Sequence, residues 1–351
     1  MSAPILLSHL KGNRNTITSI VFNDNDQFAA SSLDKTIGIY SLKNKNARCL
    51  RFEMPFEVYD MDWSVKNIFA AVGNSKIANV CEAVLHKGYA EQIVAHQNSI
   101  RSVHFSTSGN RIITGSDDKS IKMFRLSHRN FIASFTGHTN WIHCARFSPN
   151  NKMIASCAED KTMKVFDVQS GQLIHSFKDE KGYGNQLVWH KDNNTIAIAQ
   201  ENHRLKIYDL KQRKLIQYYR IYDCAVNALD FHPSGYFMLT GDNKGSTKIL
   251  DLLEGRDIYT IYGHQDAVTA VRFSKDGEYF VTGSKDKHLM VFKSNIEAID
   301  FNESTESSIE EIPHPDHADN KENQKDDKKS IVVDSRKSVH YNYLNNDSVN
   351  V

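Results

Sequence analysis

The feature that most narrows the folds open to this 351-residue chain is a repeat. Three histidines are each followed by a hydroxyl residue 18 positions on, an aspartate 22 on and a phenylalanine 28 on. They are His96 with Thr114, Asp118 and Phe124, His138 with Ser156, Asp160 and Phe166, and His264 with Thr282, Asp286 and Phe292. The aspartate position recurs as Asp34, Asn74, Asp118, Asp160, Asn202, Lys244 and Asp286, at spacings of 40, 44, 42, 42, 42 and 42. Seven units of one length and one internal layout predict a ring or stack of like supersecondary units.

Within a unit the pattern is that of strands. SIRSVHFS, IHCARFS, VNALDFH and VTAVRFS alternate apolar and polar residues, and RIITGS or YFVTGS follows after a turn. The turns SPNN, HPSG and SKDG supply the Pro, Asn, Asp and Gly that tight reversals need. Each unit therefore reads as four short strands. A GH-type start, four strands and an aromatic-Asp end in about 42 residues resemble the WD40 repeat. The fold class expected is all-β: a seven-bladed WD40 β-propeller over residues 1–295, followed by a disordered acidic tail over 296–351. LLSHLKG (6–12) aligns with FIASFTG (131–137), the outer strand of a blade, whereas the chain turns polar soon after Phe292. Residues 5–10 are thus expected to supply the last blade's outer strand and close the ring.

Histidine, serine and aspartate are also the residue types of a hydrolase triad, which needs an exposed hydroxyl beside the imidazole. Here the trio occurs three times at one spacing, and the aspartate sits in a tight turn (SDDKS, AEDKT, SKDKH). A hydrogen-bond chain tying the loops of a blade to its strands accounts for both facts. His96, Thr114, Asp118, His138, Ser156, Asp160, His264, Thr282 and Asp286 are therefore expected to be structural. The Trp that completes this chain in WD40 proteins is replaced by Tyr40, Val80 or Cys81, Phe124, Phe166, Tyr208, Leu250 and Phe292, so the network lacks that donor. Glu180 and Tyr222 stand at histidine positions and Lys244 at an aspartate position. Blades two, five and six are expected to lean on packing and neighbours instead.

No phosphate-binding, zinc-protease or nucleophile-elbow motif occurs in a supporting context, so neither an enzyme nor a cofactor is expected. His314 and His317 lie in a polar tail, where two ligands make a poor metal site. The five cysteines are odd in number and lack a CxxC, which reads as free thiols in a reducing compartment; Cys144 and Cys157 are expected in neighbouring strands of one blade. Neither a signal-peptide pattern nor an 18-residue apolar run is seen, and no membrane partner is expected. Residues 296–351 carry 13 acidic against 6 basic residues, a balance of −7, while the body before them is +8. Such a body suits an acidic partner. Lys321, Glu322 and Asn323 form a KEN sequence, a candidate degron that resembles the box read by the cell-cycle ubiquitin ligase.

Recognition is expected from the loops before each unit's first strand: Asn98, Ser99 and Arg101, then Asn140, Trp141 and His143, then Tyr183 and Asn185, then Asp266 and Thr269. Trp141 departs from Ser99 and Ala267 at the equivalent positions and has the character of a hot spot.

The run from Ala225 to Asn295, through FHPSG, KILDLLEGR, YTIYGH and VRFSKDGEYFVTG, resembles the centriolar WD-repeat family named from the proteome of the centriole. GHTNWIHCARFSPNNKMIASCAEDKTMKVFD (137–167) is similar to the same family. The resemblance implies a non-enzymatic scaffold of centrioles and basal bodies that supports centriole assembly, length and stability of the microtubule wall, and so cilium formation. It also implies a cytoplasmic, cytoskeletal location, with other centriolar proteins and the microtubule wall as partners. Self-association is open and a nucleic-acid partner is not expected. The family's C-terminal coiled coil has no counterpart here, because the tail holds no sustained heptads. The competing expectation is a WD40 adaptor of another complex, either a ubiquitin-ligase substrate receptor or an RNA-processing subunit.

Overall fold

The computed structural model describes residues 2–23, 27–42, 49–82, 91–220, 222–296 and 338–340. Seven antiparallel sheets follow one another along the chain, each meandering from an inner to an outer strand. Blade one is Ile17–Phe22, Gln27–Ser32, Thr36–Ser41 and Leu50–Glu53. The inner strands of blades two to seven are Val58–Trp63, Ile100–Phe105, Ile142–Phe147, Gly184–Trp189, Val226–Phe231 and Val268–Phe273. Each inner strand lies beside the next, and the seventh lies beside the first, so the blades form a closed seven-bladed propeller.

The apolar alternation is spent between blades. Seven buried clusters each draw on two adjacent blades, from Phe56, Met61 and Phe69 against Val21 and Ile37, round to Ile17 and Phe28 against Val281 and Val291. Both faces of every sheet are buried, which explains why a single blade could not be stable alone.

Ring closure follows the sequence expectation. Strand Ile5–Leu10 pairs antiparallel with Leu289–Lys293 as the outer strand of blade seven, with Ile5 opposite Lys293 and Leu10 opposite Leu289. Asn295 adds an Nδ2–H bond to the Ala3 carbonyl at 2.8 Å. The first and last blade segments thus share one sheet, and neither end leaves a free strand there.

The tail departs from expectation at one place. Ser338–His340 forms a strand parallel to the outer strand of blade six, Arg256–Tyr262, with Thr260 opposite Ser338 and Tyr262 opposite His340. The outer strand of a blade has an unpaired backbone edge, and a short β-prone segment can add to it despite the polar surroundings. The candidate degron Lys321, Glu322 and Asn323, the pair His314 and His317 and, apart from that strand, the rest of residues 297–351 lie outside the described residues.

Candidate functional site

Two sets of polar residues are built on this frame. The first holds each blade together. In blade three His96 Nδ1 lies 2.8 Å from Asp118 Oδ2 and Nε2 lies 2.8 Å from Thr114 Oγ1. Blade four repeats this with His138, Asp160 and Ser156 at 2.8 and 2.8 Å, and blade seven with His264, Asp286 and Thr282 at 2.9 and 2.8 Å. The same aspartate oxygen accepts the N–H after the histidine, at 2.9 Å from Thr139 in blade four. Its other oxygen accepts the Thr162 hydroxyl at 2.6 Å. Burial alone would raise the Asp286 carboxyl, but hydrogen bonds and the His264 ring hold it at about 2; the same balance keeps Asp118 and Asp160 well below the usual carboxylate range. The hydroxyls are sealed: Ser156 and Thr282 are 0% exposed and Thr114 1%. No acyl group could reach them, so this arrangement does the work of a clamp and not of a nucleophile.

Blades five and six, expected to lean on packing and neighbours, also hold polar networks of their own. In blade five the residue that works is Asp179. It accepts from Gln200 Nε2 at 2.7 Å and pairs with Lys206, both side chains being almost wholly buried. Glu180 is 84% exposed. In blade six Tyr222 fills the histidine position and its hydroxyl meets Thr240 Oγ1, 18 residues on as elsewhere. Asp242, two residues before the expected position, takes the turn by accepting from Ser246 N and Oγ at 2.7 and 2.6 Å. Lys248 lies 5.3 Å from the Tyr222 ring centroid and pairs with Asp257 at 3.1 Å. The turn residue after the aspartate position is left-handed in blade one and in blades three to seven. Only in blade six is it a glycine: a Cβ on Gly245 would lie 2.6 Å from the His264 carbonyl oxygen. Of the two residues at the Trp position of blade two, Cys81 is the one in register, opposite Phe69 as Phe166 is opposite Ile154.

The second set surrounds the axis. Every inner strand carries a β-bulge at its second residue, between Ile17 and Ser19, Val58 and Asp60, Ile100 and Ser102, and so on to Val268 and Ala270. The skipped residues are Thr18, Tyr59, Arg101, His143, Asn185, Asn227 and Thr269, and all seven line one axial cavity of about 120 Å³. Beneath them, side chains of one blade cap the free edge of the next. Asp60 Oδ2 accepts from Val103 N at 3.1 Å, Asp62 from Phe105 N at 2.7 Å, Ser102 from Ala145 N at 2.9 Å and Gln186 from Leu229 N at 2.9 Å. Arg146 of blade four reaches past blade three to Asp60 of blade two with two bonds of 2.9 Å. Backbone groups that no fifth strand can satisfy are thereby paired.

At the mouth, blades two to five gather an aromatic cluster. Arg101 is bound to Asp117 and lies 5.0 Å from the Trp141 ring centroid and 5.9 Å from that of Tyr59. His143 stacks on Tyr183 at 5.1 Å and 17°. Burial and then the Arg101 charge bring His143 down to about 4, so it is neutral near pH 7, and its Nε2 is buried without a hydrogen-bond partner among the described residues. Burial and the carboxylates of Glu201 and Glu159 push the Tyr183 phenol up. Trp141 is 43% exposed.

The fold therefore brings Arg101, Trp141, His143 and Tyr183 together. Asn98 and Asn140 precede the bulges on the same loops, and Asp266 belongs to blade seven, away from the cluster; its Oδ1 accepts from Ala267 N at 2.7 Å. Tyr59, Asp60, Asp117 and Arg146 were not singled out from the sequence. Their signal was there, since each holds a fixed position within its unit, but only the bulge reveals that those positions face the axis. Among the described residues no three His, Cys, Asp or Glu side chains gather as a metal site would require.

The family model described as WD domain, G-beta repeat, matches residues 5–41, 89–125, 129–167, 213–251 and 255–293, just over half of the chain. Each match runs from an outer strand through the first three strands of the next blade, and together they cover blades one, three, four, six and seven. A search of curated proteins returns no match.

Proposed function

Because the chain belongs to the WD40-repeat family, it is a protein-binding propeller of the scaffold or adaptor class, and we propose that the assembly it serves is the centriole or basal body. The observation that carries the scaffold reading is the contrast between the two polar sets. The His-Asp-hydroxyl groups are sealed, whereas Arg101 and His143 line the axial cavity and Trp141 stands exposed beside Arg101. The exposed Trp beside a guanidinium and a stacked His–Tyr pair has the composition of an interface hot spot. The residues that support the centriolar reading are the run Ala225–Asn295, above all KILDLLEGR, and the body charge of +8, which suits an acidic tubulin lattice.

In this reading the protein supports assembly, length and stability of the microtubule wall and hence cilium formation. It acts in the cytoplasm at the centrosome and basal body, binding other centriolar proteins and, with self-association, further copies of itself. Imaging of the endogenously tagged protein tests it: foci coinciding with centrioles are expected, and a diffuse or nuclear signal with none there overturns it in favour of an adaptor in another complex. Recovery of partners by the full chain, compared with Trp141→Ala, tests the mouth; a variant that recovers the same partners in the same yield removes Trp141 from the docking surface.

A further inference from the structure

Cys144 and Cys157 face each other across the first two strands of blade four, at directly opposed register positions. Opposed residues of an antiparallel pair have Cα atoms about 4.5–5.5 Å apart, within the range of roughly 4.4–6.8 Å that a disulfide spans. Both side chains lie on the sheet face turned to blade five. Gly184 stands opposite them; a Cβ there would meet Cys157 Cβ at 3.0 Å and Sγ at 3.2 Å, so the absent side chain leaves room for the sulfurs. Both thiols are buried, Cys144 at 2% and Cys157 at 1% exposure, and they differ only in that one of them borders a cavity. Cys144 lines the axial cavity and donates to the Leu187 carbonyl at 3.7 Å, whereas Cys157 lies in the second strand. The same pair of positions holds Ser102 and Gly115 in blade three and Ala228 and Gly241 in blade six.

We propose that Cys144 and Cys157 are a dithiol site for hydroperoxides, with Cys144 the attacking sulfur and Cys157 the resolving one. The Cys144 thiolate attacks the O–O bond of the hydroperoxide and takes one oxygen as a sulfenic acid, while the other oxygen leaves with a proton as water or alcohol. The Cys157 sulfur then attacks the sulfenyl sulfur, the S–S bond forms, and hydroxide leaves with the thiol proton as water. Two thiols are oxidised by two electrons in total and one hydroperoxide is reduced. The electrostatics agree with this order. The neighbouring Cys157 thiol and the Arg146 charge bring Cys144 below the ordinary thiol value against burial, while burial pushes Cys157 well up.

The full chain is treated with a small excess of hydrogen peroxide, blocked with an alkylating agent and digested without reductant. Mass spectrometry is expected to find residues 144 and 157 linked, with the link lost on adding dithiothreitol and Cys81 still alkylated. In Cys157→Ser the sulfenic acid on Cys144 is expected to persist and be trapped by dimedone; in Cys144→Ser neither species forms. A chain in which half-buried Cys49 oxidises while Cys144 and Cys157 remain two alkylatable thiols overturns the proposal. Because that readout needs only the unmodified protein, it stands even where a variant fails to fold. The rate of alkylation of Cys144 against pH gives a second check on the same chain: a midpoint below that of an ordinary thiol supports the assignment of the attacking sulfur, and one at or above it overturns it.

Discussion

Blades four and five have the same four strands, the same bulge and the same buried face, yet hold themselves together by different chemistry. Blade four uses His138, Ser156 and Asp160, while blade five uses Asp179, Gln200 and Lys206. The WD-repeat pattern is recognised in the first and not in the second. The comparison teaches that the clamp is replaceable, provided that each buried donor and acceptor keeps a partner. What both blades share, and what the fold rests on, is the period-2 burial against neighbours and the register that sets it.

The largest effects should come from that shared part. Phe166→Ala and Tyr208→Ala empty equivalent positions, 1% and 7% exposed, and each is expected to lower stability by about 3–5 kcal/mol in denaturant unfolding. If only Phe166→Ala is costly, blade five does not share the packing of blade four and the comparison breaks. Next comes the ion pair: Lys206→Ala leaves the Asp179 carboxylate without its cation, with Gln200 and the Lys181 N–H as remaining donors, and should cost about 3 kcal/mol. His138→Ala leaves a buried hydroxyl and an aspartate that keeps other donors, and should cost about 1–3 kcal/mol. A larger loss from His138→Ala than from Lys206→Ala would reverse the ranking of the two clamps.

Acid titration separates the blades in another way. Burial lowers His143, with Arg101 opposing its charge and Asp117 partly offsetting this, and burial lowers His9, with His288, Lys11 and His264 adding to the effect against Asp286; both fall to about 4. The folded state therefore binds fewer protons than the unfolded one between about 6.5 and 4. Stability is full above that window and is lost as the pH falls through it. Below it the carboxylates act. Asp160 and Asp179 are both held under their ordinary values, so stability present above about 3.9 is lost on further acidification in blades four and five alike. His143→Phe should reduce the first limb of a thermal-midpoint-against-pH curve, leaving the share due to His9, and leave the second limb unchanged. An unchanged first limb would assign it elsewhere. The smallest stability effect, within about 0.5 kcal/mol, is expected for Trp141→Ala, whose cost appears in partner recovery instead.

Much of the fold was legible because it repeats. The 42-residue period, the strand alternation and the likeness of residues 6–12 to 131–137 led to seven blades and a closing strand at residues 5–10, and that strand is Ile5–Leu10. The residue-for-residue clamp of blades three, four and seven was legible for the same reason. The substitutes in blades five and six were not, because alignment by spacing placed Glu180 and Lys244 where the folded chain uses Asp179 and Asp242. A one- or two-residue offset in a loop costs nothing in register, so the carboxylate can arrive from a neighbouring position. The strand at Ser338–His340 was missed because its partner is an edge supplied by another part of the chain.

The sequence by itself determined the number of blades, the ring closure and the structural role of the histidines, because local hydrogen bonding and period-2 burial act over one repeat length. Only the tertiary structure decided which side chains meet at the axis. The seven bulges, one in each inner strand, turn residues 42 or so apart toward the same space, so that Arg101 and His143 meet there and the loops before them bring Trp141 and Tyr183 alongside. No local rule specifies that proximity. It arises when a ring of blades closes and the free edges of its inner strands must find their partners in one another.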